Sequence, residues 1–187
     1  MIYPIVAYGT PVLKKKAEFI DSGYPDLQGV IQNMFETMYK AHGVGLAAPQ
    51  VGLSIRLFVV DASPFADEEP KLAGVKKVFI NAEIIEETGD GWKFNEGCLS
   101  IPGIREDVER KPDVLLRYMD EHFNQIEERF DGILARVIQH EYDHIEGVLF
   151  TDRLSQLKKT LLKGKLTDIS KGRVDVDYRM KFPMLRK

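Results

Sequence analysis

The chain has 187 residues, 44% of them hydrophobic and 29% charged, with a formal net charge of −3. This size and balance predict one globular domain over residues 1–187, and no apolar run reaches the roughly 18–20 residues of a membrane span. One cysteine, Cys98, excludes an intramolecular disulfide.

The opening stretch is mildly apolar but carries Pro4, Gly9 and Pro11, and its basic run Lys14-Lys15-Lys16 comes after the apolar part. A secretory signal has the opposite order, so a cytoplasmic location is expected. Leu27, Val30, Ile31, Met34, Phe35 and Met38 recur at spacings of three and four. They predict a helix over about 26–41, entered at Pro25 and ended at Gly43. Residues 56–61 read as a buried strand, 62–77 as an exposed loop, and 78–85 as a strand interrupted near Asn81. Asp90-Gly91 marks a turn, and strands over 114–119 and 125–130 form a hairpin through 120–124. Asp131 can cap a helix that runs to about Ile145 and ends before Gly147. A third helix is expected over 155–163; beyond Gly164 the pattern supports only a short strand at Val174, Val176 and Tyr178. Helices and strands are segregated. The expected class is therefore α+β, mainly antiparallel sheet around the helix of His140 and His144, with an N-terminal and a C-terminal helix.

Charge is unevenly spread. Residues 158–187 hold ten Lys or Arg against three Asp, a local +7 that leaves −10 for residues 1–157. A basic C-terminal extension on an acidic body can attract a polyanion such as RNA; the alternative is a solvated tail with no specific partner.

The run Gln139-His140-Glu141-Tyr142-Asp143-His144 carries the chemistry. On a helix, His140 and His144 lie one turn apart on one face and can reach a single metal ion. Glu141 points to a different part of the surface and suits proton handling better than ligation. The third ligand is sought in Glu96-Gly97-Cys98-Leu99-Ser100, because a thiolate suits Zn²⁺ or Fe²⁺ and two His plus one Cys leave a position open for water. Taken singly, a lone Cys is more often a buried small hydrophobe, and the run 43–50 reads as a helix stop with a tight turn.

Together, Gly43-x-Gly45-x-Ala47-Ala48-x-Gln50, Glu96-Gly97-Cys98-x-Ser100 and Gln139-His140-Glu141-x-x-His144 resemble the three motifs of the peptide deformylases. The resemblance includes Tyr8-Gly9-x-Pro11-Val12-Leu13, covers roughly residues 3–155, and then fades. Many members end in a helix, whereas Gly164, Gly172 and Pro183 break that pattern. The resemblance implies removal of the N-formyl group from the initiator methionine of new bacterial-type polypeptides. It makes Cys98, His140 and His144 the metal ligands and Glu141 the general acid/base. A divalent metal lowers the pKa of bound water to roughly 7, giving hydroxide for attack on the formyl carbon. Glu141 then passes the proton to the leaving amine as formate departs. The Gln50 side-chain amide and the backbone N–H of Leu99 are the implied oxyanion donors. Fe²⁺ is favoured in the cell, with Zn²⁺, Ni²⁺ or Co²⁺ compatible with the same ligands.

Around this centre, the family pattern makes Arg110, by its place after the Cys motif, the expected partner of Asp143, the alternative being that Asp143 faces water; Glu96 is also expected beside the site. Val44, Phe94, Ile133 and Val137 are candidates for the methionine slot. Gly43, Gly45 and Gly97 allow close substrate approach, and Arg105 is a candidate contact to the peptide beyond the methionine. The expected partners are N-formylmethionyl nascent peptides, and ribosomal RNA through the basic extension, but neither membrane nor DNA. A zinc endopeptidase of the HExxH class would need a downstream ligand, and neither Glu146 nor Asp152 gives a known spacing. A non-catalytic metal or RNA module has no use for Glu141 or Gln50 at these places.

Overall fold

The computed structural model describes residues 1–183; Arg186 and Lys187 of the basic extension lie outside them. Its strands are β1 (Ile5–Val6), β2 (Gly45–Ala47), β3 (Leu57–Asp61), β4 (Lys76–Thr88), β5 (Trp92–Cys98), β6 (Ile101–Arg110), β7 (Asp113–Met119), β8 (Gln125–Asp131) and β9 (Met180–Lys181). The helices are α1 (Leu27–Lys40), α2 (Gly132–Ile145) and α3 (Gln156–Ser170).

A five-stranded antiparallel sheet runs in the order β2-β3-β4-β7-β8, beside a β5–β6 hairpin and a parallel β1–β9 pair. The period of two in β3 decides what the sheet faces. Phe58 and Val60 point to the side covered by α2, where Phe79, Leu116, Phe130, Ile138 and Ile145 complete a core. Leu57 and Val59 point to the other side, against Ile31, Met34, Phe35 and Met38 of α1. A third cluster joins Ile101, Ile104 and Val108 of β6 to Leu162, Leu166 and Ile169 of α3. Thus α2 lies between the large sheet and the β5–β6 hairpin, the α+β arrangement expected.

Helix ends follow one rule. In α1 the left-handed residue is His42 (φ 57°), not Gly43; the Gly43 N–H donates back to the Met38 carbonyl at 2.9 Å and the His42 N–H to Tyr39 at 3.1 Å. In α2 that place is taken by Gly147 (φ 74°), where an added Cβ would also come within 2.9 Å of the Lys14 backbone. Asp131 stands at the N-cap of α2, but its carboxylate pairs with Lys71 rather than capping. Glu69 Oε1 takes the Ile133 N–H instead, at 3.2 Å.

Several expectations need correction. Gly164 does not end α3: the helix runs on to Ser170 and turns at Gly172 (φ 72°). Buried Leu166 and Ile169 beyond Gly164 outweigh its poor helix propensity, about 1 kcal/mol. The strand expected at 174–178 does not form: the segment is unpaired and bends at Asp177 and Tyr178, and pairing falls instead at Met180–Lys181 against Ile5–Val6. The stretch 62–77 contains two 3-10 turns, Ser63–Phe65 and Pro70–Leu72, with Ala62 and Leu72 buried; Lys76 already belongs to β4. The interruption of β4 is where expected: Asn81 takes φ 53° and bonds both backbone groups of Ile20, at 3.0 and 2.7 Å. Both strands of the β5–β6 hairpin escape the sequence pattern, because Glu96 and Arg110 point inward among their apolar positions.

Candidate active site

The hairpin and α2 bring the site together. Register along β5–β6 shifts between Gly97, opposite Arg105, and Cys98, opposite Ile101, so Cys98 closes the ladder just before the turn at Leu99–Ser100. Its Sγ lies 3.3 Å from His144 Nε2, and ligand atoms of Cys98, His140 and His144 all fall within 4.8 Å of one another. One thiol and two imidazoles that converge this closely match the donor set of a Zn²⁺ or Fe²⁺ centre. The Nδ1 of His140 is engaged by Glu96 Oε2 at 2.9 Å, which leaves Nε2 for a metal.

Behind the ligands lies a chain of alternating charge, buried except at its outer end, Arg153. Arg110 grips Glu96 with two bonds, at 2.7 and 3.0 Å, and reaches Asp143 Oδ2 at 2.8 Å. Arg136 adds a bond to Glu96 Oε1 at 3.1 Å, and Arg153 takes both Asp143 oxygens at 2.6 Å. Burial opposes ionisation of Glu96, but hydrogen bonds and charge from Arg110 and His140 win and hold its carboxyl well below the usual carboxylate range. Burial likewise opposes the Arg110 charge, and Glu96 and Asp143 hold it cationic.

Glu141 behaves oppositely. It is 4% exposed and its Oε2 has no hydrogen-bond partner among the described residues. Burial pushes its carboxyl up to about 7, with His140 pulling the other way. The space it fills is made by Gly45 of β2, where a Cβ would stand 2.8 Å from Glu141 Cδ. Gln50 is held by its carbonyl end: Oε1 accepts the Ala47 N–H at 2.8 Å. Its amide nitrogen is thereby turned inward, 3.5 Å from Cys98 Sγ and 3.4 Å from Ser100 Oγ.

These groups open into a cleft of about 870 Å³, enough for several residues of a peptide. Gly43, Val44, Phe94, Gly97, Leu99 and Val137 line it. Ile133 does not; it packs into the core between α2 and the large sheet. Arg105 is exposed at the rim, bonded to Asn95 through Oδ1 at 2.9 Å and the backbone carbonyl at 2.6 Å.

Three site residues escaped the sequence reading. Arg136, one turn before His140 on α2, carried a usable signal. Arg153 and Tyr178 carried none, since only the fold brings them to Asp143 and to the cleft wall.

A thiol and two helical imidazoles beside a buried carboxyl near neutrality define a metal-dependent hydrolase of the HExxH kind. A family model described as Polypeptide deformylase matches residues 2–160. The chain is 59% identical to the peptide deformylase of Christiangramia forsetii over 100% of this chain and 99% of that one. It is 61% identical to the peptide deformylase of Cytophaga hutchinsonii, covering 98% and 99%. Among solved structures, a peptide deformylase from Legionella pneumophila superposes with a TM-score of 0.80 at 38% identity, covering 92% of this chain and 98% of that one. The chain belongs to the polypeptide deformylase family. Its activity is the deformylation of nascent peptides, and the enzyme is metal-dependent.

Proposed function

We propose that Cys98, His140 and His144 hold one divalent ion, Fe²⁺ in the cell, and that Glu141 moves the proton of the reaction. The observation that carries this reading is the convergence of the three ligand atoms beside a buried carboxyl with no competing partner. An ion bound there supplies Lewis acidity, polarising the formyl carbonyl and acidifying water. Zn²⁺, Ni²⁺ or Co²⁺ can serve the same ligands.

The residues around the centre divide the remaining work. Glu141, at about 7, can accept a proton from the attacking water and return it to the departing amine near neutral pH. The Gln50 amide nitrogen and the Leu99 N–H donate to the developing oxyanion; one such donor is typically worth ~2.7–4 kcal/mol. Glu96 fixes His140, and Arg110 and Asp143 fix Glu96 and the far side of α2. Val44, Phe94 and Val137 offer the methionine its apolar slot, Gly43, Gly45 and Gly97 admit the peptide closely, and Arg105 meets the chain beyond it. Residues 1–187 act as one catalytic domain with a basic extension from about 158.

Protein purified without oxygen tests the reading, with metal content measured and formyl-Met-Ala-Ser, an unblocked peptide and casein as substrates. Formate release from the first alone is expected. Cleavage of casein, or inertness of metal-loaded protein, overturns it.

The enzyme works in the cytoplasm, where the basic extension docks on ribosomal RNA near the nascent chain. No helix of the described residues is long and apolar enough to cross a membrane. Lys158 and Arg173 are already paired, with Glu106 and Asp168, so the remaining cations of the extension carry the contact. Co-sedimentation with ribosomes is expected to weaken steeply as salt rises. Salt-insensitive or absent co-sedimentation counts against the contact.

A further inference from the structure

The turn after Cys98 is held residue by residue, beside a shift in the register of the β5–β6 ladder. Cys98 Sγ and Ser100 Oγ both face the Gln50 amide nitrogen, at 3.5 and 3.4 Å. The Ser100 carbonyl accepts the Tyr8 N–H at 2.9 Å. Between them, the Leu99 carbonyl accepts the Tyr178 hydroxyl at 2.8 Å, across 79 residues of sequence. No other side chain among the described residues bonds the Leu99 backbone.

Tyr178 does not reach this place by chance of a loose tail. In the segment before β9, Val174, Val176 and Tyr178 are half-buried while Asp175 and Asp177 are exposed, so the inward side is set by a period of two. The segment is then pinned by β9, where the Ile5 N–H donates to the Arg179 carbonyl and the Ala7 N–H to the Lys181 carbonyl, both at 2.9 Å. Tyr8, which holds Ser100, lies two residues past the end of β1. The two chain ends thus grip one side of the turn together, and residues 175–178 form a wall of the cleft.

We propose that Tyr178 is a positioning residue for deformylation: through the Leu99 carbonyl it fixes the Cys98–Ser100 turn, and with it the Leu99 N–H that faces the reaction. This rests on the reading of Leu99 and Gln50 as oxyanion donors. The Leu99 carbonyl sets ψ of Leu99, while the N–H lies on the preceding peptide plane. Releasing the carbonyl lets both planes rock, and the donor loses its aim at a charge that develops only in the transition state.

Tyr178→Phe removes the hydroxyl and keeps the ring. With formyl-Met-Ala-Ser, kcat is expected to fall roughly threefold to tenfold, the range of one lost hydrogen bond, while KM changes less than about twofold. Metal content should stay at the wild-type value and melting temperature should fall by no more than a few degrees, and amide hydrogen exchange at Leu99 and Ser100 should quicken while that of β5 does not. Unchanged kcat overturns the proposal, and so does a loss of kcat fully matched by lost metal. Gln50→Ala is assayed beside it: full activity there overturns the oxyanion reading itself, whereas lost activity in Gln50→Ala with normal Tyr178→Phe overturns only the role of Tyr178.

Discussion

Glu141→Gln is expected to lower kcat on formyl-Met-Ala-Ser by about 10²–10⁴-fold while leaving the metal bound. The amide has the shape of the carboxyl and fits the space beside Gly45, but it cannot take up and return a proton. Because Glu141 is not among the converging ligand atoms, metal per protein should not change. Formate assays with metal analysis check both halves; a kcat within tenfold of wild type, or loss of the metal, would sink the assignment. A stability effect of known sign accompanies it. Burial raises the carboxyl from 4.5 to about 7, so its contribution to folding is fullest below 4.5 and is lost as pH rises through about 7. The metal-free Gln variant should therefore gain melting temperature relative to metal-free wild type between those two pH values, and a relative loss would contradict the burial argument.

Arg110→Ala is expected to destabilise the fold by about 3 kcal/mol, the low end of the range for breaking a buried ion pair. It strips two bonds from Glu96 and one from Asp143, all deep in the protein. The low end applies because neither acid is left bare: Glu96 keeps Arg136 and His140, and Asp143 keeps Arg153. A second effect is on the metal. Glu96 orients His140 through Nδ1, and loosening such an outer partner typically costs ~10–100-fold in metal affinity. Denaturant unfolding and metal titration measure the two effects. Wild-type stability with full metal occupancy would show the Arg110 pairing to be dispensable.

Much of the site could be read from residue types alone. The spacing of His140 and His144 needs only a helix to make a half-site, and the apolar period before it supplies the helix. Cys98 taken alone reads as a buried small hydrophobe; the motif around it and the resemblance to the family made it the third ligand. The apolar slot was less legible: Ile133 and Val137 share α2 and the same core cluster, yet only Val137 also lines the cleft. Helix periodicity says that a residue is buried, but not whether protein or substrate covers it.

By itself, the sequence determined the local elements whose signal is short-range: α1 and α2 from their period, the β7–β8 hairpin from its turn, and the ligand pair from its spacing. Tertiary structure decided what depends on partners far along the chain. The β5–β6 hairpin hides its period because Glu96 and Arg110 point inward, a pattern that makes sense only once Asp143, Arg136 and Arg153 surround them. α3 continues through Gly164 because packing on β6 outweighs propensity. Tyr178 meets Leu99 because β9 pairs with β1, a contact between chain ends that no local pattern encodes.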